Sequence, residues 1–176
     1  NVEKFGSGLV HAEGVVIDRE GNAWGGCRSG AVYMVEPNGA TRQVGQLPEK
    51  AVPNGVTMDR AGNFVYCDLR NKAVMRMSRD GKVSMIADRA GDMPLNMPNF
   101  CSYDGEGNLY VSNSSSQRGS KVMEEFGAPA PNGALVRIRP DGRGEVVATG
   151  IYFANGTAVD PNEDAVYVLE STRNDC

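Results

Sequence analysis

Four near-copies of one phrase constrain this chain more than any other feature. Each is a short apolar run that ends in Asp, then a tight turn, then a second apolar run. The first copy is Glu13-Gly14-Val15-Val16-Ile17-Asp18 with Gly21-Asn22, and the second is Asn54-Gly55-Val56-Thr57-Met58-Asp59 with Gly62-Asn63. The third is Asn99-Phe100-Cys101-Ser102-Tyr103-Asp104 with Gly107-Asn108. The fourth is Asn155-Gly156-Thr157-Ala158-Val159-Asp160, with Pro161-Asn162-Glu163-Asp164 in its turn. The copies start 41, 45 and 56 residues apart. The approach is shared as well, since Gly8-Leu9-Val10-His11-Ala12-Glu13 aligns with Gly150-Ile151-Tyr152-Phe153-Ala154-Asn155.

The local chemistry of each copy is that of a β-hairpin. Asp bonds back to the turn and Gly takes the positive φ that the turn requires. The strands that follow each turn begin Ala23-Trp24, Phe64-Val65-Tyr66-Cys67, Leu109-Tyr110-Val111-Ser112 and Ala165-Val166-Tyr167-Val168-Leu169. A third strand, a Gly-bearing turn and a fourth strand complete the unit in the first three copies. Four strands in a repeat of about 45 residues is the pattern of a β-propeller blade. No 3.6-residue periodicity is sustained, and a β-sandwich would not repeat four times in one register. The blades are expected at about 13–45, 54–88 and 99–149, the last with an inserted loop at 114–133. A fourth begins at 155–176, and residues 2–7 are a candidate closing strand.

Composition removes several classes of function. Lys and Arg total 18 against 22 Asp and Glu, a formal charge of −4, and there is no basic run. Nucleic acid and anionic membrane are therefore not expected partners. No apolar run approaches the length of a membrane-spanning helix. His11 is the single histidine and no CxxC pair occurs, so a multi-histidine or zinc-knuckle site is not available. Cys67 and Cys101 read as small buried hydrophobes in strands, and the widely spaced cysteines read as free thiols. The compartment is open, with the cytoplasm slightly favoured over the periplasm or secretion.

The innermost strand of a blade faces the central channel, so residues at one phase of successive copies converge at one mouth. Here they are Glu13, Asn54, Asn99 and Asn155. One carboxylate and three amide oxygens form an all-oxygen set, which suits Ca²⁺ or another divalent cation such as Mg²⁺ or Zn²⁺.

These phrases, with Leu95-Asn96-Met97-Pro98-Asn99 and Phe153-Ala154-Asn155-Gly156, resemble the SMP-30/gluconolactonase/luciferin-regenerating-enzyme-like family. The resemblance covers essentially the whole chain. It implies an all-β, six-bladed propeller of four-stranded antiparallel blades, of which this chain covers about three and a half. It implies a metal held by Glu13, Asn99 and Asn155, plus a later acidic residue beyond Cys176 that is also the catalytic candidate. Asn54 is then a substrate contact. The implied activity is hydrolysis of small lactones, with the metal polarising the ester carbonyl for attack by water or a carboxylate. An organophosphate or other ester hydrolase on the same metal, and a non-catalytic ligand-binding propeller, are the alternatives. The implied partners are a small lactone or ester, and either a missing half-propeller or a second copy of the chain. Two departures remove acidic groups: Phe100 stands where the family often has Asp, and Ser112-Asn113-Ser114 replaces Thr-Asp-Pro.

Bland readings apply to several polar residues. Asp18, Asp59, Asp104 and Asp160 are turn caps. His11 stands two residues before Glu13, so on a strand it would share that residue's side and contact substrate. Its aligned partner is Phe153, which favours packing. The insertion carries Arg118 as a candidate substrate contact and a short helical turn near Lys121 to Phe126. Insertions of this length are usually lids or binding loops.

Overall fold

Three four-stranded antiparallel meanders follow one another along the chain in the computed structural model, which describes residues 5–117 and 119–173. The first contains β1 (Val16–Ile17), β2 (Ala23–Gly26), β3 (Ala31–Val35) and β4 (Thr41–Gln46). The second contains β5 (Pro53–Met58), β6 (Phe64–Asp68), β7 (Ala73–Met77) and β8 (Val83–Ala87). A small hairpin, β9 (Arg89–Ala90) with β10 (Met93–Pro94), precedes the third meander. That one contains β11 (Pro98–Tyr103), β12 (Leu109–Asn113), β13 (Gly133–Ile138) and β14 (Gly144–Ile151). Last come β15 (Ala154–Val159) and its antiparallel partner β16 (Val166–Glu170). Successive up-and-down sheets of this kind are the blades of a partial β-propeller. Among the described residues no helix is long and apolar enough to cross a membrane.

The repeated turn has one hydrogen-bond pattern. In blade two, Asp59 Oδ1 accepts from the N–H of Ala61 and of Asn63, both at 2.9 Å, and Oδ2 accepts from Asn63 Nδ2 at 2.8 Å. Asp104 does the same with Glu106 and Asn108. Asp18 does so with Glu20 and Asn22, and adds Trp24 Nε1 at 2.7 Å. The closing Gly62 sits at φ 76°, where a side chain would be strained. The Asn is thus as much a part of the turn as the Asp, since its amide locks the carboxylate that caps it. The fourth copy has one more residue in its turn. There Asn162 N–H reaches Asp160 Oδ2, and Glu163 takes the positive φ.

Blades are glued face to face by side chains that alternate along each strand. In β6, Phe64 and Tyr66 face blade one and, with Val56 and Met77 of their own blade, pack on Trp24, Val32 and Met34. Val65 and Cys67 face blade three and, with Val74 of their own blade, pack on Cys101, Leu109, Val111, Val136 and Ile138. Every residue of β6 is buried, because both of its faces are covered. Each fully buried aliphatic side chain contributes about 1.5–3 kcal/mol relative to exposure. Cys27, Cys67 and Cys101 are buried free thiols. Burial pushes the Cys67 thiol well above its ordinary pKa, with Cys101 adding to the effect.

Two expectations change. The first inner strand begins at Val16, not at Glu13. Of the candidate closing strand at 2–7, residues 2–4 lie outside the described residues. Residues 5–7 form no strand and run beside blade one, where Ser7 N–H donates to Thr41 Oγ1 at 3.2 Å.

The turn carboxylates make stability depend on acid. Burial alone would raise the Asp18 pKa, but the Asn22, Trp24 and backbone donors outweigh it and the net shift is downward. Asp104 behaves alike, burial being overcome by the Asn108, Glu106 and Gly107 donors. A depressed folded-state pKa gives stability that is present above the unfolded value of about 3.9 and lost as pH falls through the folded value. Urea denaturation followed by Trp24 fluorescence is expected to show this loss below about pH 4. Asp104→Ala is expected to lower stability at pH 7 and to flatten the acid dependence.

Candidate functional site

Asn54, Asn99 and Asn155 stand where their inner strands begin, and each sits in a β-bulge. In β5, Pro53 pairs with Asp68 and the next pair is Val56 with Tyr66, so Asn54 and Gly55 together oppose Cys67. In β11, Pro98 pairs with Asn113 and Cys101 with Val111, so Asn99 and Phe100 oppose Ser112. In β15, Ala154 pairs with Glu170 and Thr157 with Val168, so Asn155 and Gly156 oppose Leu169. A bulge bends the strand and re-aims its side chains, and bulges concentrate next to active sites. The same device has placed one amide at the same point of three consecutive blades.

Close packing of inner strands accompanies the bulges. A Cβ built on Gly55 would meet Phe100 Cα and lie 2.6 Å from Asn99 O. One built on Gly14 would lie 2.9 Å from Asn54 O and from Val56 N. Only glycine after the site residue lets the next blade come this near. The side chains then touch. Asn54 Nδ2 donates to Asn99 Oδ1 at 2.9 Å and to Asn99 O at 3.0 Å. Asn99 is buried, with 5 % exposure.

The other candidates are placed differently. Asn155 is half-buried and its Nδ2 donates to Ser171 Oγ at 2.8 Å, which leaves its Oδ1 as the available atom. Glu13 is exposed, one residue before the glycine that packs on the Asn54 backbone. His11 is exposed and lies at φ 53°, off any strand, so the argument that it shares a side with Glu13 does not hold. Its aligned partner Phe153 has the same φ of 53°, and Gly8 and Gly150 are both at positive φ. The shared approach is therefore a shared backbone path. Arg118 lies outside the described residues. Among the described residues no three His, Cys, Asp or Glu side chains gather as a metal cluster. A cation at this mouth would rest on amide oxygens and a single carboxylate.

Several supporting residues escape a reading of the sequence. Ser112 Oγ accepts the N–H of Phe100 at 3.0 Å, the group that the bulge frees from the ladder. Asn113 Oδ1 accepts from Met97 N–H at 2.9 Å, and Ser114 Oγ donates to Ala154 O at 2.7 Å. Ser112 and Asn113 thus hold the start of β11 within blade three, and Ser114 fastens that blade to β15. Asp68, wholly buried, ties the start of β5 and the β6–β7 turn together in blade two with the N–H groups of Val52, Arg70 and Asn71 and with Asn71 Nδ2. The equivalent positions of Asp68 and Asn113, each opposite a proline, are the one signal that alignment of the copies offered.

The family model for the SMP-30/Gluconolactonase/LRE-like region matches residues 11–176. The chain belongs to this family. A gluconolactonase of Zymomonas mobilis is 25% identical over 149 residues, covering 82% of this chain and 41% of its own length. Hemomucin of Drosophila melanogaster, an adipocyte plasma membrane-associated protein, is 25% identical and is covered over 32% of its length. Among solved structures, the gluconolactonase XC5397 from Xanthomonas campestris superposes with a TM-score of 0.74 at 18% identity. That superposition covers 93% of this chain and 55% of the other, and it bears on fold alone. The chain spans less than half the length of the curated relatives it matches.

The amide contact has a measurable sign. Asn54→Ala deletes two hydrogen bonds and leaves Asn99 Oδ1 without its donor, an expected cost of about 1–3 kcal/mol. Asn54→Asp places carboxylate oxygens against both acceptors and is expected to cost more. Urea denaturation at pH 7 compares the two, and an Asp variant as stable as the Ala variant would show that the contact does not form.

Proposed function

We propose that this chain forms one mouth of a propeller that hydrolyses small lactones of the gluconolactonase type, with Ca²⁺ as the resident cation. The observation that supports the reading is that Asn54, Asn99 and Asn155 each sit in a bulge at the same point of successive blades, with Asn54 bonded to Asn99. Family membership and the gluconolactonase relative point the same way.

The donor set fits a hard cation. Glu13, Asn99 and Asn155 would hold it, with the remaining positions taken by water or by other oxygens. When bound, such an ion supplies polarisation of the ester carbonyl. Asn54 fixes the Asn99 amide so that Oδ1, and not Nδ2, is the atom turned to Asn54's donor, and the second lone pair of Oδ1 remains for a cation. Ser171 does the equivalent for Asn155 by accepting from Nδ2. Outer partners of this kind orient the ligand they bond. Amides neither gain nor lose protons near neutral pH, so these residues hold and orient. The proton of the attacking water goes to another group, the acidic residue expected beyond Cys176. The water oxygen bonds to the carbonyl carbon, the ring C–O bond breaks, and the alkoxide leaves with a proton to give a hydroxy acid. Further blades, from this protein or a second copy, would close the ring.

Hydrolysis of glucono-1,5-lactone followed by acid release, with Ca²⁺ and then with EDTA, tests this reading. A rate above the spontaneous one that EDTA abolishes is expected. Asn99→Ala is expected to weaken Ca²⁺ about tenfold or more, as measured by calorimetry. A spontaneous rate together with no calcium heat would overturn the proposal.

A further inference from the structure

The inserted segment carries a buried carboxylate that no turn or blade contact requires. Glu125, 5 % exposed, directly follows α1 (Ser120–Glu124). Its Oε1 accepts from Ser115 Oγ at 2.7 Å and from Asn132 Nδ2 at 2.8 Å. Ser115 and Asn132 are the two stems of the insertion, one just beyond β12 and the other just before β13. Ser116 N–H also reaches Asn132 Oδ1 at 3.3 Å, so the stems are tied to each other. Glu125 Oε2 is buried and has no hydrogen-bond partner among the described residues. A buried carboxylate with one bare oxygen is costly, and it persists only where the surroundings hold it.

Beyond the clasp, the insertion reaches the fourth copy. Phe126 packs on Phe153 with ring centroids 4.9 Å apart, and Ser114 Oγ bonds Ala154 O. Phe153 and Ala154 are the two residues that lead into the Asn155 bulge.

We propose that Glu125 is a positioning residue for Asn155, acting through the Phe126–Phe153 contact. The inference rests on the functional reading of Asn155 given above. Closing both stems on Glu125 sets where α1 ends, and that sets the aromatic pair at the entrance to β15. The insertion is then a fixed wall of the mouth beside blade four, and its anchoring decides the seat of Asn155.

Three variants and two readouts test this without any metal or substrate. The readouts are tryptic cleavage after the exposed Lys121 and the NMR resonances of the Asn155 side-chain amide and the Gly156 N–H. In Glu125→Ala, cleavage is expected to speed up about tenfold or more, because local opening is no longer opposed by two charge-assisted hydrogen bonds. The Asn155 and Gly156 resonances are expected to move with it. Glu125→Gln keeps an acceptor oxygen for Ser115 and Asn132 and removes the buried charge, so both readouts are expected to stay near wild type. Phe126→Ala keeps the clasp, and is expected to move the Asn155 resonances while leaving cleavage slow. It also serves if Glu125→Ala does not fold. Faster cleavage in Glu125→Ala with unmoved Asn155 resonances would overturn the positioning role, as would unmoved resonances in Phe126→Ala. A separate calcium titration by calorimetry distinguishes the two levels. Moved resonances with a wild-type protein that takes no calcium would leave the positioning role standing and sink the metal reading.

Discussion

Everything at the candidate mouth depends on how near the inner strands come to one another. Gly55 lies against the backbone of Asn99 and Phe100, and Gly14 lies against that of Asn54. A methyl group at either place would push neighbouring blades apart, and backbone atoms do not move aside cheaply. With the strands at this spacing, the Asn54 amide reaches Asn99 directly. The bulges are the second half of the same arrangement. They place one amide at the same point of each of three blades and leave a freed N–H that Ser112 takes up in blade three.

Burial and turn chemistry hold this geometry from outside. In blade two β6 is covered on both faces, so it cannot shift without opening two apolar interfaces. At the far end of the first three inner strands, an Asp that accepts three or four hydrogen bonds closes the hairpin and fixes the strand's length. The mouth is therefore determined at three points: the turn that ends the strand, the core that clamps it, and the glycine that admits its neighbour. The insertion adds a fourth constraint on one side only, where Phe126 meets Phe153.

The architecture was legible because its signals are local. Asp, Gly and Asn occupy fixed offsets in a turn, and their hydrogen bonds lie within four residues, so repetition of the letters meant repetition of the structure. The shared approach to Glu13 and Asn155 was legible for the same reason, and it appears as matched positive φ at His11 and Phe153. What was hidden depends on pairing between distant residues. A bulge is a mismatch of register between two strands, and no single strand announces it. The late start of β1 hides in an apolar run that reads as strand from Gly14. Glu125 looks like one of two surface glutamates in a polar loop, and only the return of Ser115 and Asn132 buries it. Ser112 and Asn113 read as lost acidic groups, whereas they satisfy backbone donors that the mouth geometry exposes.

On the proposed reading, Glu13, Asn99 and Asn155 present oxygens to a single cation. A crystal structure grown with calcium, phased to show anomalous scattering, tests it most directly. One peak is expected at the mouth, about 2.3–2.6 Å from an oxygen of each of these three residues. A calcium peak held by other residues, or the three oxygens too far apart to share one ion in a calcium-soaked crystal, would contradict it.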